Sequence, residues 1–221
     1  MDRDDIQNKT SQEILGEKLQ SLLSFPTNKS KKMRICMAGI PGSGKTTIAQ
    51  LLADRLKGVY MPEFMEQLPK HVLDMRADST TEEQILAQQW ILSQYKKKAE
   101  LIKKMPDDSV IVQDRGVIDC LAYSAVCKPK VLDVIRSESE TFEWPSDFTI
   151  LLIADDANVK SRMIAREKFN AQFFDTNWRK YIQDLREKYI LISQELHTPI
   201  IDTSNKSSET TVTNLLSMLS K

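Results

Sequence analysis

The stretch "RICMAGIPGSGKTTIAQLLADRL", beginning at Arg34, sets an apolar run, a glycine-rich loop and a helical pattern in immediate succession. Inside it, Gly39, Gly44, Lys45 and Thr46 match G-x-x-x-x-G-K-[ST] in full. This feature constrains the chain more than any other. A loop whose bare backbone N–H groups converge on one point needs glycine where side chains would block the approach. The helix that follows turns its positive end toward the same point. The loop therefore reads as a cradle for a nucleotide's phosphates, built from Gly39, Pro41, Gly42, Ser43, Gly44, Lys45, Thr46 and Thr47. Lys45 reaches the β- and γ-phosphates, and the Thr46 hydroxyl is placed to ligate Mg²⁺.

Around the loop, short apolar runs alternate with helical patterns. "RICMA", "GVYM", "SVIVQD", "FTILLIA" and "PIID" read as strands. Helices are expected from about Thr46 to a left-handed cap near Gly58, from Thr81 to about Lys104, through the charged region around "DANVKSRMIAREKF" and "NWRKYIQDLREKYILISQEL", and at the C-terminus. Thr80 and Glu83 have capping-box spacing. Such alternation implies an α/β fold, with a parallel sheet, right-handed crossovers and helices on both faces. Residues 1–32 read as a helical extension and a polar linker, with Ile14, Leu15, Leu19, Leu22 and Leu23 at helical spacing. Residues 33–221 form the main domain.

Composition excludes several function classes. The 221 residues carry 31 basic and 31 acidic side chains, so no global field draws the chain to nucleic acid or anionic lipid. No apolar run nears the roughly 18 residues that cross a bilayer. Cys36, Cys120 and Cys127 have neither metal-ligand nor disulfide spacing, and the polar start is unlike a secretory signal, so a cytoplasmic setting is expected.

Three further features should gather at the carboxyl edge of the sheet. Asp114 ends the third strand at a position where a carboxylate could hold Mg²⁺, and Arg115 follows at the mouth of the site. Glu63 lies just past the second strand. A hydroxyl acceptor needs such a carboxylate to take its proton, whereas a phosphate acceptor would be repelled by it. Arg162 and Arg166, four apart, share a helix face and could close over a triphosphate. For the acceptor, Gln88 or Gln89 on the long helix could read a base edge, or Gln88 could lie at the sheet's rim with its amide in water. Phe64, Trp90 and Tyr123 could stack on a base or belong to the core. The run "YKKK" around Lys97 reads as a solvated helix face.

Taken together, "GIPGSGKTT", Glu63 after strand two, "DRG" at Asp114–Gly116 and "RMIAR" resemble the P-loop small-molecule kinases of the nucleoside and nucleoside-monophosphate group, which includes deoxynucleoside and thymidylate kinases. The resemblance runs from about Met33 to the end and implies a five-stranded sheet in the order 2-3-1-4-5. It also implies ATP and Mg²⁺, a general base at Glu63, an acceptor contact at Arg115, arginines of a lid-like segment on the donor, and a glutamine of the long helix on the acceptor's base. Gly116 departs from the aromatic usual there in thymidylate kinases, and Asp114-Arg115-Gly116 from the Glu-Arg-Ser of deoxynucleoside kinases. These departures bear on the acceptor, not on the fold. The expected partner is a small nucleoside or nucleotide; a homodimer stays open. A regulatory switch or motor ATPase is the rival class, although the chain lacks an N-K-x-D guanine-reading motif and a glutamate after Asp114.

Overall fold

The computed structural model describes residues 32–74, 78–165 and 176–219. The helix expected within 1–32 and the arginine at 166 lie outside the described residues. Five parallel strands are β1 (Met33–Gly39), β2 (Val59–Met61), β3 (Val110–Asp114), β4 (Phe148–Ile153) and β5 (Ile200–Asp202). They form one sheet in the order β2-β3-β1-β4-β5. The central strand is the apolar run that precedes the glycine loop, as a strand buried on both faces should be. Its alternate residues divide between two cores. Ile35 and Met37 face a cluster with Ile48, Leu52, Val212 and Leu215, while Ala38 faces another with Leu121, Leu151, Leu185 and Tyr189.

The first cluster packs helix α1 (Lys45–Arg55) and α8 (Ser208–Leu219) on one face of the sheet. The second packs α4 (Val117–Ala125), α6 (Asp156–Ala165) and α7 (Thr176–Glu195) on the other. A short helix, α2 (Lys70–Leu73), precedes the long α3 (Thr81–Lys103). The capping box at the start of α3 is formed in both directions: Glu83 N donates to Thr80 Oγ1 at 3.2 Å, and Thr80 N donates to Glu83 Oε2 at 2.7 Å. Helix α5 (Pro129–Glu140) was not foreseen; only Val131 and Ile135 of it are apolar and fully covered, a stripe too narrow to read in sequence.

The end of α1 differs from expectation in an informative way. The left-handed residue is Lys57, with φ 53°, and not Gly58. Gly58 N donates to Ala53 O at 2.8 Å and Lys57 N to Asp54 O at 3.1 Å, the paired bonds of a Schellman motif. Gly58 is demanded by space: a Cβ there would stand 2.5 Å from the Val110 carbonyl oxygen, where β2 leaves to join β3. Two substitutions separate these causes. Lys57→Gly should raise stability by up to about 1 kcal/mol by relieving the left-handed cost, whereas Gly58→Ala should lower it by roughly 2 kcal/mol. Urea denaturation of both variants checks the opposite signs.

Candidate active site

The loop between β1 and α1 has the backbone of a cradle. Gly39, Gly42 and Gly44 take φ values of 143°, 76° and 95°. A Cβ on Gly39 would come within 2.1 Å of the Leu152 carbonyl oxygen of β4, so glycine is needed there for conformation and space alike. Helix α1 begins at Lys45, directly behind the loop. The Lys45 side chain folds back over it, and its Nζ donates to Ile40 O at 2.8 Å. Burial, then the nearby charge of Arg115, lowers the Lys45 pKa to about 7.

Thr46 and Asp114 meet at the carboxyl edge. The Thr46 hydroxyl donates to Asp114 Oδ2 at 2.5 Å, while Asp114 Oδ1 is buried with no hydrogen-bond partner. An orphaned carboxylate oxygen beside a threonine hydroxyl is a fit for Mg²⁺. That ion takes oxygen ligands and commonly has only one or two from protein, with the others from phosphates and water. Tyr60 OH stands 3.5 Å from the same Asp114 Oδ2.

Arg115 sits in the left-handed region at φ 65°, and this turn throws its side chain back across the rim. Its Nε lies 2.7 Å from Glu63 Oε1, off the N–H axis, so the contact is an ion pair without an aligned hydrogen bond. Its Nη1 donates to Asp119 Oδ1 at 3.0 Å and to Tyr189 OH at 3.2 Å, and its Cζ lies 5.2 Å from the Tyr123 ring centre. Asp119, fully buried, also accepts from Tyr189 OH at 2.6 Å, Gly39 N at 3.3 Å and Gly116 N at 3.0 Å. One carboxylate thus ties the loop, the end of β3 and α7 together.

Glu63, Arg115, Asp114, Thr46, Lys45 and Tyr123 therefore share one rim. Phe64 packs on Tyr95 with nearly parallel rings 6.0 Å apart and on Trp90 at 5.7 Å. Gln88 is 0% exposed, not at a wet rim: its Oε1 accepts from Ser124 Oγ at 3.5 Å and its Nε2 has no partner. Gln89 turns away and donates to Glu138 Oε1 at 2.5 Å. On the other flank of the loop, Arg162 is already engaged, donating to Gly42 O, Thr203 Oγ1, Thr203 O and Ser204 O at 2.6–3.5 Å. It walls a cavity of about 230 Å³ with Ser43, Gly44, Thr47, Lys206 and Thr211.

Two residues of this region, Lys98 and Tyr189, are not expected from the sequence, whereas Thr203 opens "TSNKSS", a segment that the family resemblance sets beside the adenine. Lys98, in the run read as solvated, is 1% exposed, whereas Lys97 is exposed and pairs with Glu66. Tyr189 comes from a helix whose charged pattern gave no sign of it. Thr203 links the region to the loop through its Oγ1, which donates to Ser43 O at 2.9 Å. Of the two unexpected residues, only Lys98 leaves a readable trace, since it lies one turn beyond Tyr95 near the buried stripe of α3.

A family model described as "AAA domain" matches residues 34–197. A "Probable thymidylate kinase" of Methanocaldococcus jannaschii is 26% identical over 179 residues, covering 80% of this chain and 90% of that protein. Another from Methanococcus aeolicus is 29% identical over 185 residues, covering 79% and 89%. Among solved structures, a deoxyadenosine kinase from M. mycoides with products dCMP and dCDP bound superposes with a TM-score of 0.66 at 15% identity, covering 85% of this chain and 99% of that one. A thymidylate kinase from Candida albicans gives 0.66 at 14% identity, covering 86% and 92%. These structural likenesses show the fold.

The lowered pKa of Lys45 has a measurable consequence. With a pKa of about 7, this lysine is mostly neutral in the free site by pH 8. A bound triphosphate favours the charged form and raises the pKa. ATP binding at pH 8 should then take up about one proton. Titration calorimetry in buffers of differing ionisation enthalpy would register the uptake, and Lys45→Met should abolish it.

Proposed function

The chain belongs to the AAA-domain family of P-loop proteins, and from that premise we propose that it is a kinase moving the γ-phosphoryl group of ATP to a hydroxyl of a nucleoside-like acceptor. The observation that carries this reading is the meeting of Glu63 and Arg115, 2.7 Å apart, on the rim that also holds Asp114, Thr46 and the loop. The names of the archaeal relatives and the folds of the nucleoside and nucleotide kinases support nucleotide phosphoryl transfer as the general chemistry.

Each residue has a part. The loop amides and Lys45 hold the β- and γ-phosphates of the donor. Arg162 stiffens the wall between the loop and the end of β5. Mg²⁺, held by Thr46 and Asp114 with the phosphates, would neutralise charge on the transferred group. Glu63 accepts the proton of the attacking hydroxyl as the new oxygen–phosphorus bond forms and the bond to ADP breaks. Arg115 orients Glu63 and stands beside the developing charge. Gln88 has an unpartnered but fully covered amide N–H, which an acceptor's base edge would reach only after Ser124 and its neighbours shift.

The charge balance favours a neutral acceptor. Arg115 already faces two carboxylates, Glu63 and Asp119, so a monophosphate would have to displace one of them. A nucleoside monophosphate as acceptor is the second reading. The relatives' names favour it, and in that case Arg115 would exchange Glu63 for the phosphate.

An ATP-consumption screen over nucleosides and their monophosphates, with Mg²⁺ present and then chelated, tests the proposal. Transfer should require both Mg²⁺ and an acceptor; hydrolysis at full rate without an acceptor would instead indicate a switch or motor. With a nucleoside acceptor, Glu63→Gln should lower turnover roughly 10²-fold. Unchanged turnover would remove Glu63 as the base. Lys45→Ala should abolish transfer to any acceptor.

A further inference from the structure

Lys98 is the buried cation that the chemistry above does not use. It comes from the middle of α3, and among the described residues no carboxylate lies within ion-pair distance of its ammonium. Instead it faces four carbonyl oxygens: Pro62 at 3.1 Å, Glu63 at 3.3 Å, Asp114 at 2.7 Å and Arg115 at 2.9 Å. Two of these belong to the chain leaving β2 and two to the chain leaving β3. The Tyr95 ring centre lies 5.0 Å from Nζ.

A sheet needs no such arrangement merely to end. Carbonyls at the carboxyl ends of strands are ordinarily met by water or by the following turn. Here a charged side chain replaces water, and an ammonium carries only three N–H donors for four acceptors. The same ammonium grips the carbonyl of Arg115, the residue held in the left-handed region. It thereby fixes the turn that aims the guanidinium back toward Glu63 and Asp119. It grips the carbonyl of Glu63 as well, so both halves of the ion pair hang from one point. A leucine or methionine would fill the space without joining the two exits.

We propose that Lys98 is a positioning residue of the acceptor side, joining the ends of β2 and β3 so that Glu63 and Arg115 face one another. This inference rests on the kinase reading. Lys98 touches neither the loop nor the donor cavity, and at Asp114 it holds the main-chain carbonyl and not the carboxylate, so its influence falls first on acceptor geometry.

Lys98→Met, which keeps the stem and removes the donors, should lower acceptor-dependent kcat at least thirtyfold. ATP affinity, measured without acceptor, should stay within threefold of the wild type. A kcat within threefold of the wild type overturns the proposal, and so does loss of ATP affinity in step with kcat, which would mark a general structural role. A second measurement uses the unaltered protein and covers a variant that does not fold. The Lys98 ammonium, observed by nitrogen-15 NMR, should shift when the acceptor found in the screen is added to the protein saturated with a non-hydrolysable ATP analogue. An unmoved signal overturns the proposal. Failure of the wild type to phosphorylate any acceptor would refute the kinase reading itself, whereas transfer by the wild type and by Lys98→Met alike refutes this inference alone.

Discussion

Charge removed from water must be answered by charge or by dipoles, and this requirement organises the carboxyl edge of the sheet. Lys45, Lys98, Arg115, Asp114 and Asp119 are each at most 6% exposed. None could be left unpaired in such a place without a large cost. The molecule answers Arg115 with Asp119 and Glu63, Asp119 with backbone N–H groups and Tyr189, and Lys98 with carbonyl dipoles. Lys45 hydrogen-bonds only the Ile40 carbonyl, and burial, then the like charge of Arg115, lower its pKa against the pull of Asp119, Asp114 and Glu63.

The parallel sheet makes this concentration possible. All of its strands end on the same side, so residues that just follow β1, β2 and β3 converge although they are far apart in the chain. Register refines the convergence: Met37 of β1 pairs with Asp114 of β3, and Gly39 with Leu152 of β4. The loop therefore opens just above the last residue of β3, which puts Thr46 against Asp114. On the opposite flank, Thr203 from the end of β5 and Arg162 from α6 brace the loop.

Much of this was legible in the sequence for local reasons. The order of apolar runs and helical patterns announced an α/β sheet, because strand and helix periods are set by neighbouring residues. The capping box at Thr80 and Glu83 was legible because its partners are three residues apart. The glycine loop was legible because its conformational demands fall on single positions. Less local features were read incompletely. The run of lysines on α3 looked uniformly solvated, since at that spacing composition gives no account of which lysine points inward; the answer depends on where β2 and β3 leave their carbonyls. Gln88 was weighed as a rim residue, yet Ser124 of α4 covers it.

By itself, then, the amino-acid order determined the fold class, the phosphate cradle and the identity of the acidic and basic groups that follow the strands. Only the tertiary structure decided how those groups pair. Tyr189 reaches Asp119 across 70 residues of chain, and Thr203 reaches Ser43 across 160. Periodicity decays within a helix or strand, whereas the electrostatic cost of a buried charge is settled by whatever side chain or carbonyl the folded topology brings beside it.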